Sequence, residues 1–328
     1  MSALVQKFGG TSVGSIERIR RVAAKALAAR QSGQNVVVVV SAMATETDRL
    51  LALVKATHPD ADRREADVVA SSGETVAAAL TAIAIQSLGG KARSWLGSQL
   101  PILTDSHASA ASVLSVETRP LEMSFRNGEI PVVAGFQGVD RHGRVTTLGR
   151  GGSDTTAVAV AAALGARCEI YTDVDGVFSA DPRLCPEAWL LERVSYQFML
   201  EAAGLGAKVM HDRSVALGMR YEVPIAVKSS FSDSSGTEIG INGDSVHCVT
   251  SQKIDSNISR VSWVGARAAD LALQIPRMLR QFQERALPCY GVSAGLLSLS
   301  FLLPSSRSAE TVQWMHRLCS WVKEGVPC

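Results

Sequence analysis

The chain has 328 residues, and its 33 lysine and arginine residues against 31 aspartate and glutamate residues give a formal net charge of +2 at pH 7. This balance argues against a nucleic-acid-binding protein, which needs a clustered basic face; the longest basic runs are Arg20-Arg21 and Arg63-Arg64. Hydrophobic residues make up 46% of the chain but aromatic residues only 5%, which suits a parallel sheet covered by helices. The length predicts two domains, or one large α/β domain with an appendage.

The sequence predicts neither a membrane span nor a metal or disulfide framework. A spanning helix needs about 20 consecutive apolar residues, and the most apolar stretches, Val36–Ala44, Val76–Gly90 and Ala157–Ala166, are too short or interrupted by polar residues. The first seven residues lack the pattern of a secretory signal. The six cysteines are scattered and form no CxxC pair. We therefore expect a reduced, cytoplasmic protein.

The first 40 residues predict a β-α-β unit. Ala3–Phe8 has the pattern of a short strand, and apolar residues at helical spacing follow Ser15, a candidate N-cap, up to Gly33. Five consecutive valines, Val36–Val40, predict a strand that is buried on both faces. This order predicts parallel strands joined by a right-handed crossover.

The same alternation of strands and helices continues to about residue 229. Further predicted strands are Pro131–Phe136, Glu169–Tyr171 and Ile225–Ser229; the predicted helices are Glu74–Leu88 and Ser153–Leu164, with a partly helical stretch at Gly204–Gly218. The segment Ser230–Ser245 is rich in serine, glycine and aspartate, which is typical of a linker. We therefore expect one domain over residues 1–244 and a second domain over residues 245–328.

The pattern after this linker is that of a small α+β module. Ile258–Val264 and Leu296–Leu303 are predicted strands, and Ala268–Arg285 and Ala309–Val322 are predicted helices. We interpret this region as a β-α-β-β-α unit, the order of a small ferredoxin-like module.

A glycine-rich turn follows the first strand. Lys7 precedes Gly9 and Gly10 at the start of a helix. Glycines let backbone N–H groups approach a phosphate closely, the helix N-terminus adds partial positive charge, and the lysine adds a full charge. The lysine comes before the glycines, so this is not the P-loop pattern. From the spacing alone, an ordinary βα turn with a surface lysine is equally consistent.

A second glycine-rich turn, Leu148–Thr155, also precedes a helix. Arg150 could hold a carboxylate through two parallel hydrogen bonds, and Ser153 with the glycine N–H groups could hold an anion. Asp154 could either complement the helix dipole or orient a catalytic lysine. A capped turn is the simpler interpretation of this segment alone. Two such turns in one α/β chain favour a kinase-like enzyme.

Six segments that occur in one order resemble the aspartate kinases of the amino-acid kinase family. They are KFGGTSVG, VVVVVSAM, SSGE, LGRGGSDTTAVA, YTDVDGVFSADPR and GAKVMH. The resemblance covers about residues 5–240, and KFGGTS with GRGGSDTTA separates the aspartate kinases from relatives acting on acetylglutamate, glutamate, carbamate or uridylate. It implies an α/β fold, a three-layer αβα sandwich with a mainly parallel open sheet, followed by a single ferredoxin-like ACT-type module. Residues 1–244 would then be the catalytic domain, with an aspartate lobe at about 1–150 and a nucleotide lobe at 151–244.

The resemblance also implies a role for each matching position. Lys7, Asp154 and Lys208 would be catalytic, with Asp154 organising the two lysines around the transferred phosphoryl group. Glu74 would receive the ammonium group of aspartate, and Arg150 would clamp one of its carboxylates. The other implied aspartate-site residues are Ser41, Thr47, Phe136, Gly151, Gly152 and Ser153. The implied nucleotide-site residues, besides Lys7 and Lys208, are Phe8, Gly9, Gly10, Ser12, Thr172, Asp173, Phe178, Ser179, Ala180, Asp181, Pro182, Arg183 and Val209.

The implied reaction is ATP-dependent phosphorylation of the β-carboxylate of L-aspartate to 4-phospho-L-aspartate, the first step of the aspartate-derived amino-acid pathway. The carboxylate is already an adequate nucleophile at neutral pH, so positioning and charge neutralisation suffice. Mg²⁺ would be held by nucleotide and water, and no metal site built by the protein is predicted.

Two alternative functions stay open at this point. The family's substrate loop often reads SAMGKTTD, and here Thr45 and Glu46 lower its positive charge. This change suits a kinase of the same fold that acts on another amino-acid carboxylate. The other alternative is a catalytically inactive regulatory subunit that binds amino acids, although such a protein would not need to keep the whole set of charged site residues.

The C-terminal region departs most from the family pattern. Residues 245–328 are enough for one ACT module and not for the usual two. The loop Val264–Ala268 lacks the acidic or amide residue that usually captures the ammonium group of an effector. We therefore expect no inhibition by lysine or threonine. We also expect a homodimer held through this module, whose last helix carries Trp314, Leu318 and Trp321.

Overall fold

A computed structural model describes residues 3–244, 246–265 and 268–323. The chain forms two compact units, one made of Met1–Asp175 and Ala216–Ser235, the other of Gly176–Val215 and Gly236–Cys328. The strands are β1 (Ala3–Phe8), β2 (Asn35–Val40), β3 (Ala92–Trp95), β4 (Ile102–Thr104), β5 (Val113–Val116), β6 (Ile130–Ala134), β7 (Gln137–Val139), β8 (Val145–Thr147), β9 (Arg167–Thr172), β10 (Arg193–Ser195), β11 (Ile225–Ser229), β12 (Thr237–Gly240), β13 (Cys248–Lys253), β14 (Ile258–Val264), β15 (Gly291–Ala294) and β16 (Ser298–Pro304). The helices are α1 (Ile16–Gln31), α2 (Glu46–Thr57), α3 (Arg63–Ser87), α4 (Arg119–Arg126), α5 (Gly152–Leu164), α6 (Tyr196–Gly204), α7 (Asp212–Arg220), α8 (Ala268–Glu284) and α9 (Ser308–Lys323).

The first unit is built on parallel strands in the order β11-β9-β1-β2-β6-β3. Side chains alternate between the two faces of a strand, so the valine run serves both. Val36, Val38 and Val40 join the core under α1 and α3. Val37 and Val39 are equally buried on the opposite face, where α5 contacts β1, β2 and β9. The predicted three-layer αβα sandwich is confirmed.

The predicted signals around α1 are confirmed. The Ser15 hydroxyl accepts a hydrogen bond from the backbone N–H of Arg18, which satisfies one of the free N–H groups at the helix start. Gly33 follows the helix with a φ of 92°, the left-handed conformation that glycine adopts most easily.

Helix α3 is longer than the sequence predicts. It begins at Arg63 rather than Glu74, with the Asp62 carboxylate accepting a hydrogen bond from Arg64 N at 2.8 Å. Its first turn, Arg63–Glu65, is charged and exposed, so it lacks the apolar periodicity that marks the rest. Among the described helices, α3 alone has the length and composition to cross a membrane, but more than half of its most apolar stretch is buried inside the fold. A core helix meets the same criterion.

A second, smaller sheet of the first unit was not predicted. Its order is β5-β4-β7-β8, with antiparallel pairs at both ends and a parallel contact between β4 and β7. The strands have three or four residues each, too few for a periodic pattern to emerge.

The second unit contains the expected α+β module. Its antiparallel sheet has the order β13-β14-β16-β15. The succession β14-α8-β15-β16-α9 reproduces the predicted β-α-β-β-α order, with β13 added beside β14. The side chains of Phe282 on α8, Phe301 on β16 and Trp314 on α9 lie together in one core cluster.

The linker prediction is wrong in part, because Ser230–Ser245 contains β12, which pairs in parallel with β10. The serine and glycine residues around this four-residue strand hid it. Ala266, Arg267 and the side chain of Trp321 lie outside the described residues.

Candidate active site

A cleft of about 230 Å³ opens in the first unit where its parallel strands end. Ligands commonly bind at the carboxyl edge of such sheets. The lining residues are Lys7, Gly10, Ser41, Ala42, Ala44, Thr47, Glu74, Phe136, Gly149, Arg150, Gly151, Gly152, Ser153 and Asp154. The structure therefore brings together every residue that the resemblance assigns to the aspartate site, along with Lys7 and Asp154.

A buried ion pair lies in this cleft. The Lys7 ammonium is 2.5 Å from Asp154 Oδ1, and their side chains are 10% and 12% exposed. Lys7 is supplied by β1 in the middle of the sheet, and Asp154 by the first turn of α5. A buried ammonium is costly unless a carboxylate compensates it. Asp154 therefore keeps a full positive charge stable and fixed at the cleft.

The carboxylate of Glu74 is only half satisfied. Its Oε1 accepts a hydrogen bond from Ala42 N at 3.0 Å, whereas no donor among the described residues reaches its buried Oε2. Burial raises the pKa of Glu74 to about 7, against the opposing effects of the Ala42 N–H and the nearby charge of Lys7. An unpaired buried carboxylate oxygen is a ready acceptor for a cationic group.

The second glycine-rich turn fits closely against Phe136. This residue takes a φ of 67°, which is strained for a bulky side chain, and its N–H donates to Thr156 Oγ1 at 3.1 Å. A Cβ atom on Gly152 would lie 2.7 Å from the Phe136 ring, so only glycine fits there. Strained backbone of this kind gathers at functional sites.

Arg150 supplies an exposed positive charge at the cleft. Its side chain is exposed, and it makes no ion pair within the part of the chain that the structure describes. It is therefore available to an anionic ligand.

Sequence analysis missed Asp67, which fixes the path into the glycine-rich turn. Its buried carboxylate accepts four hydrogen bonds, from the N–H and hydroxyl groups of Ser109 and of Thr147, at 2.8–3.0 Å. Thr147 ends β8, three residues before Arg150. Asp67 lies two helical turns before Glu74 on α3, so one helix anchors the turn and supplies a cleft carboxylate. In the sequence, the seven-residue spacing between Asp67 and Glu74 could have indicated that the two carboxylates share one face of a helix.

The remaining predicted residues fall in different places. Thr172 ends β9 in the first unit and Asp173 follows it; the threonine hydroxyl donates to the aspartate at 3.1 Å. Phe8 is 1% exposed, its ring stacks on Tyr171 in the core and its carbonyl oxygen accepts from Ser41 N, so the structure does not open this residue to a ligand. Ser12 is buried too, with its hydroxyl 2.5 Å from that of Ser230.

The residues predicted for the nucleotide from position 178 onward belong to the second unit, as does Lys208. Arg183 holds Asp181 through two hydrogen bonds of 3.0 and 2.8 Å. This contact lowers the pKa of Asp181, and the charge of Lys208 adds to the effect. Among the described residues, no group of three or more histidine, cysteine, aspartate or glutamate side chains could hold a metal ion.

Comparison with known sequences identifies the family. The sequence model of the amino acid kinase family matches residues 2–229. This chain belongs to the amino acid kinase family. An aspartate kinase from Pseudomonas putida is 51% identical over 243 residues, which is 74% of this chain and 59% of that protein. An aspartokinase from Corynebacterium efficiens is 41% identical over 342 aligned positions, covering 98% of this chain and 80% of that protein.

A solved structure gives the same result. The crystal structure of aspartate kinase from Synechocystis superposes with a TM-score of 0.67 at 37% identity, covering 96% of this chain and 55% of that chain. The chain therefore spans little more than half the length of two of these three relatives.

The four hydrogen bonds of Asp67 should contribute measurably to stability. Asp67→Asn should lower the free energy of unfolding by about 2–3 kcal/mol, because an amide accepts at one oxygen only and turns its own N–H₂ group towards donors. Urea unfolding followed by circular dichroism measures the change. The control is Asp60→Asn, at an exposed position, which should shift stability by less than about 0.5 kcal/mol. Equal midpoints for the two variants would contradict the anchoring role.

Proposed function

We propose that this protein is an aspartate kinase that phosphorylates the β-carboxylate of L-aspartate with ATP. The observation that carries the proposal is the cleft of the first unit, where an unpaired Glu74 oxygen, the free Arg150 cation and the Lys7–Asp154 pair meet. The identity of 41–51% to enzymes named aspartate kinase or aspartokinase supports the same substrate.

The charges of the cleft complement those of aspartate. The amino acid carries one ammonium and two carboxylate groups. Glu74 Oε2 would accept from the ammonium group, and Arg150 would bind one carboxylate in a bidentate manner. Ser41, Thr47, Phe136 and residues 151–153 would line the remaining surface, which leaves the second carboxylate as the nucleophile near Lys7.

The proposed chemistry needs no general base. The β-carboxylate is ionised at neutral pH, so catalysis consists of aligning it with the γ-phosphate and neutralising the charge that develops during transfer. Lys7 would supply that charge, and Asp154 would hold its ammonium in place before the substrates arrive. A preorganised donor of this kind needs no rearrangement during the reaction.

The nucleotide would be bound by residues predicted above for the nucleotide site. In the first unit these are Gly9, Gly10, Ser12, Thr172 and Asp173; in the second they are residues 178–183 with Lys208 and Val209. Mg²⁺ would neutralise the phosphates. With no carboxylate cluster among the described residues, the ion would be held mostly by the nucleotide and water.

Two further properties belong to this proposal: a cytoplasmic location and a homodimer formed through the C-terminal module. Strand β15 supports the dimer. Among the described strands it pairs with β16 alone, and exposed side chains lie on and beside it, Tyr290 and Leu296 among them. Such an edge can accept a strand from a second copy.

One observation bears on the alternative of a different amino-acid substrate. Ala44 lines the cleft with a φ of 43°, where the family pattern has glycine. Glu46, in contrast, is held by Arg49 at 2.7 and 2.8 Å and does not line the cleft, so its charge does not repel an anionic substrate there. A kinase assay that compares glutamate, N-acetylglutamate and aspartate as substrates distinguishes an aspartate kinase from a kinase of another amino acid.

The first functional prediction concerns Lys7. With ATP, Mg²⁺ and L-aspartate, trapping of the acyl phosphate by hydroxylamine should give a hydroxamate with the wild-type protein. Lys7→Ala should lower turnover by about 10²–10³, equivalent to roughly 3–4 kcal/mol of transition-state stabilisation. Lys55→Ala, an exposed lysine on α2, is the matched control and should retain turnover. Near-normal turnover of the Lys7 variant would exclude the assigned role.

The second functional prediction concerns pH. The raised pKa of Glu74 means that the free protein protonates this carboxylate below about pH 7, and only the carboxylate pairs with an ammonium group. Aspartate affinity should therefore be about tenfold lower at pH 6 than at pH 8. Calorimetric titration at both values tests this. Glu74→Gln should bind more weakly and lose the pH dependence; a variant that keeps it would contradict the assignment.

The third concerns feedback. We propose that lysine and threonine, singly or together, do not inhibit the enzyme, on the ground that the loop Val264–Ala268 offers no carboxylate or amide to an effector's ammonium group. The measurement is a titration of both amino acids to millimolar concentration in the kinase assay. More than about tenfold inhibition, a coupling of at least ~1.4 kcal/mol, would show a working effector site.

A further inference from the structure

Residues 177–191 of the second unit form a hairpin-like segment. Ser179 N donates to Trp189 O at 2.9 Å and Leu191 N to Val177 O at 2.8 Å, and Phe178 bridges Leu190 in antiparallel fashion. Residues 178–183, proposed above to contact the nucleotide, lie on its first arm. The position of this arm is therefore set by whatever fixes the hairpin.

The hairpin is part of the core of the C-terminal module. Ala180 and Cys185 belong to the same buried cluster as the aromatic side chains of that module. Val249 N, on β13, donates to Ser179 O at 2.8 Å, and the Gln313 side chain, on α9, donates to Leu184 O at the same distance. The sheet and the last helix of the module thus hold opposite ends of the first arm.

One side chain of α9 reaches both arms at once. His316 Nε2 lies 2.8 Å from the Ser179 hydroxyl, and the imidazole packs against the Trp189 ring with centroids 4.7 Å apart. The same hydroxyl accepts a hydrogen bond from Trp189 N at 3.0 Å. Ser179 and His316 are 1% and 2% exposed, so water does not compete for this bond.

The charge state of His316 follows from its surroundings. Burial lowers the pKa of His316, and the charge of Arg317 acts in the same direction while Glu187 opposes it. The imidazole is therefore neutral at physiological pH. The tautomer of the neutral imidazole decides which of the Ser179 hydroxyl and Nε2 is the donor, and either tautomer can make this hydrogen bond. A bond of this kind fixes both the rotamer of Ser179 and the spacing of the two arms.

We propose that His316 is a positioning residue for ATP, acting through Ser179 to hold the nucleotide-binding arm in its binding conformation. The inference rests on the proposed function. A hairpin that is rigid before binding loses less conformational freedom when the nucleotide arrives, and this raises affinity. The aspartate cleft is made of residues of the first unit, so aspartate binding should not depend on His316.

The test compares three variants of the full chain. His316→Ala removes the bond, His316→Gln restores a side chain able to bond Ser179, and His58→Ala removes an exposed histidine as the matched control. ATP and aspartate affinities are measured by calorimetry, KM and kcat by the hydroxamate assay, and the mobility of the arm by the rate of tryptic cleavage after Arg183.

We expect His316→Ala to weaken ATP binding and raise its KM by about five- to tenfold, the effect of losing one neutral hydrogen bond. The aspartate KM and the kcat at saturating ATP should stay within about twofold, and cleavage after Arg183 should accelerate. His316→Gln should recover most of the ATP affinity. If His316 were solely structural, His316→Ala would raise the KM for ATP and the KM for aspartate together, and His316→Gln would not restore ATP affinity.

Unchanged ATP affinity in His316→Ala, beside an active wild-type enzyme, would overturn this inference alone. A wild-type protein that binds no ATP would overturn the proposed function, and this inference with it. If His316→Ala does not fold, His316→Phe keeps a ring beside Trp189 but removes the hydrogen bond to Ser179, and it should weaken ATP binding to a similar extent. The double variant of His316→Ala and Ser179→Ala gives a further check. A loss of ATP affinity equal to the sum of the two single losses would show that the residues do not act through one contact.

Discussion

The ion pair between Lys7 and Asp154 is the contact on which the site depends. Neither charge could stay buried at the end of a parallel sheet without the other, since an uncompensated buried charge costs several kcal/mol. Their partnership requires β1 to lie at the centre of the sheet and α5 to begin beside it. The same two elements place the rest of the cleft. The first glycine-rich turn follows β1, and the second, which packs against the strained Phe136 backbone, leads into α5.

Local signals were enough to predict the frame of the first unit. Ser15 and Gly33 delimit α1 through contacts within a few residues, and the valines of β2 show that this strand is buried whatever surrounds it. The elements that were missed carry no such signal. The start of α3 is exposed and charged, β12 has four residues between serines and glycines, and the strands of the small sheet exist only because they pair with one another.

The residues of the site also fall into those that the sequence marks and those that it does not. Motif resemblance named the cleft residues, because the glycine-rich turns are contiguous in sequence and their chemistry can be read there. Asp67 and His316 belong to no motif. The first binds Thr147 across 80 residues and the second binds Ser179 across 137, so their roles arise only from tertiary packing. The structure thus adds two candidate positioning residues to the contact residues that the resemblance predicts.

The central claim is that the charges of one cleft bring a carboxylate of L-aspartate to the γ-phosphate of ATP. Phosphorus NMR of the wild-type protein with Mg²⁺ and ATP, recorded before and after addition of L-aspartate, tests it directly. The account predicts that ADP and a new acyl-phosphate resonance appear together, and only once aspartate is present. ATP that stays intact, or ADP that forms with inorganic phosphate at a rate indifferent to aspartate, would contradict it.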